Sequence, residues 1–291
     1  MEGIININKP SGITSFDVVR QLRKILHIKK IGHTGTLDPL ATGVLVVCLG
    51  RATRLVQDIE SYTKTYVATF DLGYKTDTYD TEGKILDEVN LEEKNITKED
   101  LEKVISGFVG KTMQVPPMYS ALKVDGKKLY ELARAGITVE RKKREINIDY
   151  IEILDFDGKS VKIRTKVSKG TYIRSLIYDI GEELGTFATM TALLREEVGD
   201  INIEKSVDLD KIATLAGEED FTFITSVEEF FNYPKITISH PKELKLFKNG
   251  NTVKLTDREF ADGRYRIYHE SEFIGLAEVA NGVLLKGYKY F

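Results

Sequence analysis

The sequence predicts an α+β protein, with strand-like and helix-like segments interspersed through residues 1–232 and a small β-rich module over 233–291. Three observations carry that expectation. Residues 64–72 alternate strictly, with Tyr66, Ala68, Phe70 and Leu72 on one face, which is the period-two pattern of a half-buried strand. Apolar stripes at helical spacing, such as Val18, Leu22, Ile25 and Leu26, mark amphipathic helices between the strands. After Tyr233-Pro234 the pattern turns to short runs at 235–238, 252–255, 264–268, 273–279 and 283–287. No internal repeat or low-complexity tract interrupts it.

Composition bounds the function. A chain of 291 residues, 42% hydrophobic and 30% charged, has the make-up of an ordinary globular protein. No apolar run is long enough to span a bilayer, and the start lacks the basic and apolar regions of a secretory signal, so a cytoplasmic location is expected. Cys48 lies in an apolar run and reads as a small core residue. The four histidines (His27, His33, His240, His269) have no ligand spacing, so no metal site is expected. The net charge of −3 argues against a nucleic-acid enzyme, but charge is segregated: residues 159–174 carry six Lys or Arg and no acid, whereas 82–102 carry eight acids and three lysines. Segments 9–33 and 234–254 are also basic, which allows a positive stripe on an acidic body.

In chain order, residues 3–8 read as a short strand and Asn8-Lys9-Pro10-Ser11-Gly12 as a turn. Thr14-Ser15-Phe16-Asp17 is a helix start with a capping oxygen and an acid in the first turn. The segment Gly32-His33-Thr34-Gly35-Thr36-Leu37-Asp38-Pro39-Leu40-Ala41-Thr42-Gly43 places one carboxylate in a glycine-rich loop. Pro39 restricts Asp38 to extended or turn geometry, and the following run Val44–Leu49 is a buried strand that anchors the loop. A phosphate-binding loop needs Lys then Ser or Thr after the last glycine, and Val44 stands there instead. The segment therefore points to a nucleophile on a fixed loop.

Further on, a helix from Thr97 has Leu101, Val104, Ile105 and Phe108 as its buried stripe. Residues 115–130 look like a strand and hairpin, with Asp125-Gly126 as the turn and lysines available to phosphates. Residues 145–156 and 160–168 form paired strands across Asp157-Gly158, one face apolar and the other basic. The next helix has the stripe Ile173, Leu176, Ile177, Ile180 and Leu184. Arg174 falls in its first turn, where the helix dipole disfavours a cation, so a carboxylate or phosphate partner is expected. Residues 200–232 hold a helix or two.

Five of these segments together resemble the TruB family of tRNA pseudouridine-55 synthases: Gly32–Gly43, Lys9-Pro10, Lys64-Thr65-Tyr66, residues 115–130, and Val167–Leu176. Ala192-Leu193-Leu194-Arg195 matches a further strand of that family, and the tail from Lys248 resembles its RNA-binding end more loosely. The resemblance implies the pseudouridine synthase catalytic fold, a mixed, largely antiparallel central sheet with flanking helices, over 1–232, and a PUA-like module over 233–291. It implies isomerisation of uridine to pseudouridine at position 55 in the tRNA T-loop, without cofactor. Asp38 would be the catalytic carboxylate, attacking C1′ of the ribose or C6 of the ring. Arg174 would pair with it, and Tyr66 would stack on the base and take its C5 proton. Leu193 and Tyr172 would shape the pocket, His33 would meet the opened T-loop, and Lys9 would support the site beside the substrate.

The family often shows paired arginines followed by Thr, and a histidine near 187, where this chain has Leu194, Arg195, Glu196, Glu197 and Phe187. Backbone contacts from that stretch are expected to be rearranged. The implied partner is the tRNA T-arm, with no membrane and no protein partner, and the chain is expected to be monomeric. Two other functions use the same surface: an RNA-binding or tRNA-folding protein without chemistry, and the same chemistry on another structured RNA.

Overall fold

The computed structural model describes residues 1–255 and 259–290; residues 256–258 and 291 of the expected C-terminal module lie outside the described residues. Seven strands make the spine of the large sheet, in the spatial order Gly3–Lys9, Thr42–Leu49, Ala188–Val198, Lys64–Leu72, Ser160–Val167, Arg144–Phe156 and Gly110–Gln114. Every adjacent pair on this path is antiparallel except Thr42–Leu49 with Ala188–Val198, which is parallel. The short strands Ile31–His33 and Ile201–Asn202 add to Thr42–Leu49 and Ala188–Val198. The sheet is thus mixed and largely antiparallel.

Thr42–Leu49 is buried on both faces, and its alternation divides two cores. Leu45, Val47 and Leu49 face the larger one, shared with Val18 and Leu22 of helix Ser15–Leu26, Leu101 and Ile105 of helix Lys98–Ser106, and Ile177 and Ile180 of helix Ile173–Leu184. Val44, Val46 and Cys48 face a second core with Leu55, Ile59, Val198, Phe231 and Leu276. Each fully buried aliphatic side chain contributes about 1.5–3 kcal/mol before ordering costs, so a strand with two covered faces is a firm anchor for a loop.

Local chemistry sets the helix ends. Thr14 caps Ser15–Leu26 through a reciprocal box with Asp17, and Thr97 caps Lys98–Ser106 in the same way with Asp100. Asp125 and Gly126, both at positive φ, turn the small hairpin of Lys123–Val124 and Lys127–Lys128. The strand expected within 115–130 lies earlier, at Gly110–Gln114, because Pro116-Pro117 cannot supply ladder donors. Lys64–Leu72 departs from the half-buried expectation at its start: Thr65 and Val67 are also buried, with the Thr65 hydroxyl donating to Glu197 at 2.8 Å, while Thr69 and Asp71 stay partly exposed.

The tail forms a five-stranded sheet in the order Lys235–Thr237, Gly263–His269, Glu272–Ala280, Leu284–Tyr290 and Val253–Lys254. Helix Pro241–Lys248, not expected from the sequence, packs Phe247 into its core. Among the described residues no helix is long and apolar enough to cross a membrane.

Candidate active site

Asp38 stands on the irregular segment 34–41 that joins the antiparallel strands Ile31–His33 and Thr42–Leu49. The segment is tied down on several sides. Ser15, at the start of the first helix, accepts from the Leu37 N–H at 2.8 Å and donates to the Leu37 carbonyl at 3.2 Å. Lys9 is completely buried, and its ammonium donates to the carbonyls of Pro10 (2.7 Å), Ile13 (2.7 Å) and Pro39 (3.2 Å). Arg195, also buried, donates from Nε to the Val44 carbonyl at 2.7 Å and from Nη2 to the Gly35 carbonyl at 3.2 Å. Two buried cations therefore grip backbone carbonyls on either side of Asp38, which preorganises the loop.

Arg174 enters from the first turn of helix Ile173–Leu184, and its guanidinium lies along the Asp38 carboxylate, with Nε 3.0 Å from Oδ2 and Nη2 donating to Oδ1 at 3.1 Å. Its remaining donors are used: Nη2 also meets the Tyr119 carbonyl at 2.9 Å, and Nη1 meets the Thr78 carbonyl at 2.9 Å and Asp80 Oδ2 at 3.1 Å. Asp80 is fixed in turn by the Thr78 hydroxyl at 2.6 Å and the Glu82 N–H at 3.1 Å. The expected carboxylate partner of Arg174 is thus two carboxylates in a row. Only one end of that row is open: the side chains of Asp80 and Arg174 are 2% and 6% exposed, whereas Asp38 is 33% exposed.

The electrostatics follow from this layout. Burial pushes the Asp38 carboxyl above its ordinary value, Arg174 pulls it back, and the second carboxylate of Asp80 pushes it up again. Arg174 therefore opposes a net upward shift rather than simply holding Asp38 ionised. Burial lowers Lys9 to about 8, with Asp38 acting against it. Burial also lowers His33, as does the cation of Arg195, which favours the neutral ring; His33 Nδ1 accepts a long bond, 3.4 Å, from the Gly35 N–H.

The other expected residues surround the loop. Tyr66 on Lys64–Leu72 stands opposite Arg195, and Leu193 stands opposite Ala68; Tyr66, Leu193 and Leu37 belong to the same apolar cluster. Tyr172 is the residue before helix Ile173–Leu184, and its backbone is clamped by Gln114, which accepts from its N–H at 2.8 Å and donates to its carbonyl at 3.0 Å. Burial raises the Tyr172 phenol, with Ser120, Arg144 and the Asp38–Arg174 pair around it. Lys9 lies beneath the loop with no open face, so its place is loop support rather than substrate contact. Sequence reasoning missed Asp80, Gln114 and Ser15, and read Arg195 only as a strand marker. A buried acid in a turn-rich acidic stretch gives no local signal of its long-range partner.

Among the described residues no group of three or more His, Cys, Asp or Glu is arranged to hold a metal ion. What the geometry does provide is a partly exposed carboxylate on a tied-down loop, oriented by a buried arginine.

The fold is one found among pseudouridine synthases. The solved structure described as "Crystal Structure of a Cbf5-Nop10-Gar1 Complex" superposes with a TM-score of 0.71 at 27% identity, covering 99% of this chain and 84% of that one. Residues 23–173 match the TruB family pseudouridylate synthase (N terminal domain), 174–230 the tRNA pseudouridylate synthase B C-terminal domain, and 234–285 the C-terminal domain of pseudouridine synthase II TruB. A protein of Fusobacterium nucleatum named tRNA pseudouridine synthase B is 57% identical over 291 residues, all of both chains. One of the same name from Clostridium novyi is 50% identical over 283 residues, 95% of each chain. The chain belongs to the TruB family of pseudouridylate synthases, enzymes that isomerise uridine.

Proposed function

We propose that this enzyme converts the uridine at position 55 in the T-loop of tRNA to pseudouridine, with Asp38 as nucleophile and no cofactor. The observation that carries the reading is the carboxylate–arginine–carboxylate row whose single open end is Asp38. The names of the relatives support tRNA as substrate.

The reaction conserves atoms: the N1–C1′ bond breaks, the uracil turns, C5 joins C1′, and the proton lost from C5 is balanced by one taken up at N1. A carboxylate suits this chemistry because its bond to C1′ of the ribose or C6 of the ring is reversible. Arg174 orients the attacking oxygen and stabilises the carboxylate as leaving group. Tyr66 stacks on the base and takes the C5 proton, while Leu193 and Tyr172 keep the pocket dry. A uridine stacked in a folded loop must first be flipped out, and His33, five residues before Asp38, lies on the strand that leads into the catalytic loop and meets the opened RNA. In this reading residues 233–291 are a PUA-like RNA-contacting module, and the chain acts as a monomer in the cytoplasm without a protein partner.

The test is pseudouridine formation in an unmodified tRNA transcript by the purified protein and by Asp38→Ala, with no metal or cofactor added. Modification of the T-loop uridine by the wild type alone is expected. Tight binding without modification by the wild type would leave an RNA-binding protein, and turnover by Asp38→Ala would remove the nucleophile assignment.

A further inference from the structure

Behind the Asp38–Arg174 pair, one face of helix Ile173–Leu184 carries Arg174, Tyr178 and Glu182, spaced about one turn apart, and each meets the segment 75–80. Glu182 pairs with Lys75 at 3.1 Å. The Tyr178 ring stacks on the Tyr79 ring, with centroids 4.2 Å apart and planes 29° from parallel. Arg174 Nη1 reaches the Thr78 carbonyl and Asp80. Burial, and then Glu182, push the Tyr178 phenol upward, so it stays neutral and offers a ring rather than a charge.

Tyr79 sits in the chain between the two groups that Arg174 Nη1 contacts. Its φ is +65°, a left-handed conformation that is uncommon for a bulky side chain and persists only where the surroundings enforce it. That torsion sets how the Thr78 carbonyl is turned relative to Asp80; an ordinary helical φ would rotate one against the other by about 120° and take one acceptor away from the guanidinium. Met190 of the central strand Ala188–Val198 holds the far side of Tyr79, donating to its carbonyl and accepting from the Thr81 N–H, both at 3.1 Å. The near side, the peptide between Thr78 and Tyr79, has only a long turn bond of 3.3 Å from the Tyr79 N–H to the Thr76 carbonyl besides Arg174 itself. The ring stack supplies the missing restraint, because it ties the Tyr79 side chain to the same helix that carries Arg174.

We infer that Tyr79 and Tyr178 are positioning residues for uridine isomerisation: their stack holds the turn 77–83 in the conformation in which Thr78 and Asp80 both accept from Arg174, and so sets the angle at which the guanidinium presents Asp38. The inference rests on the proposed roles of Asp38 and Arg174 and adds the residues that seat them.

The test measures kcat and KM of the full chain on an unmodified tRNA transcript, with folding followed by urea titration. Tyr178→Leu keeps apolar bulk without a planar ring, and Tyr79→Asn accepts the left-handed backbone without one. Each is expected to lower kcat roughly tenfold with KM within about twofold of wild type, because the loss falls on a geometry used in the reaction rather than on RNA binding. Tyr178→Phe and Tyr79→Phe, which keep the stack, should restore kcat. In the Asp80→Asn background Tyr178→Leu should cost no more than about twofold further, since both act through Arg174. Wild-type kcat in both stack-breaking variants, an equal loss in the Phe variants, or a loss that falls on KM would overturn the positioning role, and with Asp38→Ala inactive would leave the proposed function intact. Failure of both stack-breaking variants to fold would also overturn it, by making the stack a core contact alone. Turnover by Asp38→Ala would instead overturn the nucleophile reading, and this inference with it, whatever the tyrosine variants do.

Discussion

At Arg174 a cation sits in the first turn of a helix, where the backbone dipole opposes it, and two carboxylates offset that cost. The need for a partner was legible from the position of Arg174 alone, and Asp38 was legible from its loop. Asp80 was not, because its role exists only through a contact 94 residues away. It yields a pH test. Asp80 raises the Asp38 carboxyl, so Asp80→Asn should move the acidic limb of the kcat/KM profile to lower pH, while looser seating of Arg174 lowers the maximum by up to about a hundredfold. An acidic limb unmoved in Asp80→Asn would contradict the coupling.

Lys9 gives a second test of sign. Its folded value of about 8 lies below its ordinary 10.5, so the unfolded chain holds more protons between those values and the charged form is the one burial penalises. Urea titrations of wild type and Lys9→Met should show the difference in stability moving in favour of the wild type as pH rises from about 8 to about 10.5. A difference that is flat across that window would mean that the Lys9 ammonium is not desolvated.

At the level of elements, the alternation of 64–72 and the capping residues at Thr14 and Thr97 gave those elements directly, since each signal is local. Burial of Thr65 and Val67 on the second face of Lys64–Leu72 was hidden, because it depends on what packs over that face rather than on the strand's own alternation. The parallel contact between Thr42–Leu49 and Ala188–Val198 was equally invisible, yet it fixes Arg195 beside the Asp38 loop. Gly43 makes that contact possible: at φ +98°, a Cβ there would lie 2.3 Å from the Arg195 carbonyl oxygen and 2.8 Å from Leu194 Cδ1. Gly43→Ala should therefore cost about 2–4 kcal/mol in urea unfolding and depress activity further than stability alone explains. Wild-type stability in that variant would show that the two strands can part without cost.

At the scale of the whole molecule, the C-terminal sheet is not a loosely tethered appendage. Leu276 shares a core with Val44, Val46 and Cys48, on one face of the strand that follows the Asp38 loop. The composition shift after Tyr233 marked the module, but nothing in the sequence marked the face it would cover. Leu276→Ala should lower stability by about 2–5 kcal/mol, and calorimetry should show the two sheets melting in one transition rather than two. A separate low-temperature transition for the tail would contradict the shared core.

The order of strands in the large sheet also bears on how the protein is made. Ala188–Val198 lies between Thr42–Leu49 and Lys64–Leu72, both of which leave the ribosome long before it. At about 5–20 residues per second, the interval from Leu72 to Val198 is on the order of 6–25 seconds. Through that time two apolar strands wait with unpaired edges for a central strand not yet synthesised. The nascent chain is therefore a natural client for chaperones that shield strand edges, and slow codons placed between those segments would lengthen its exposure.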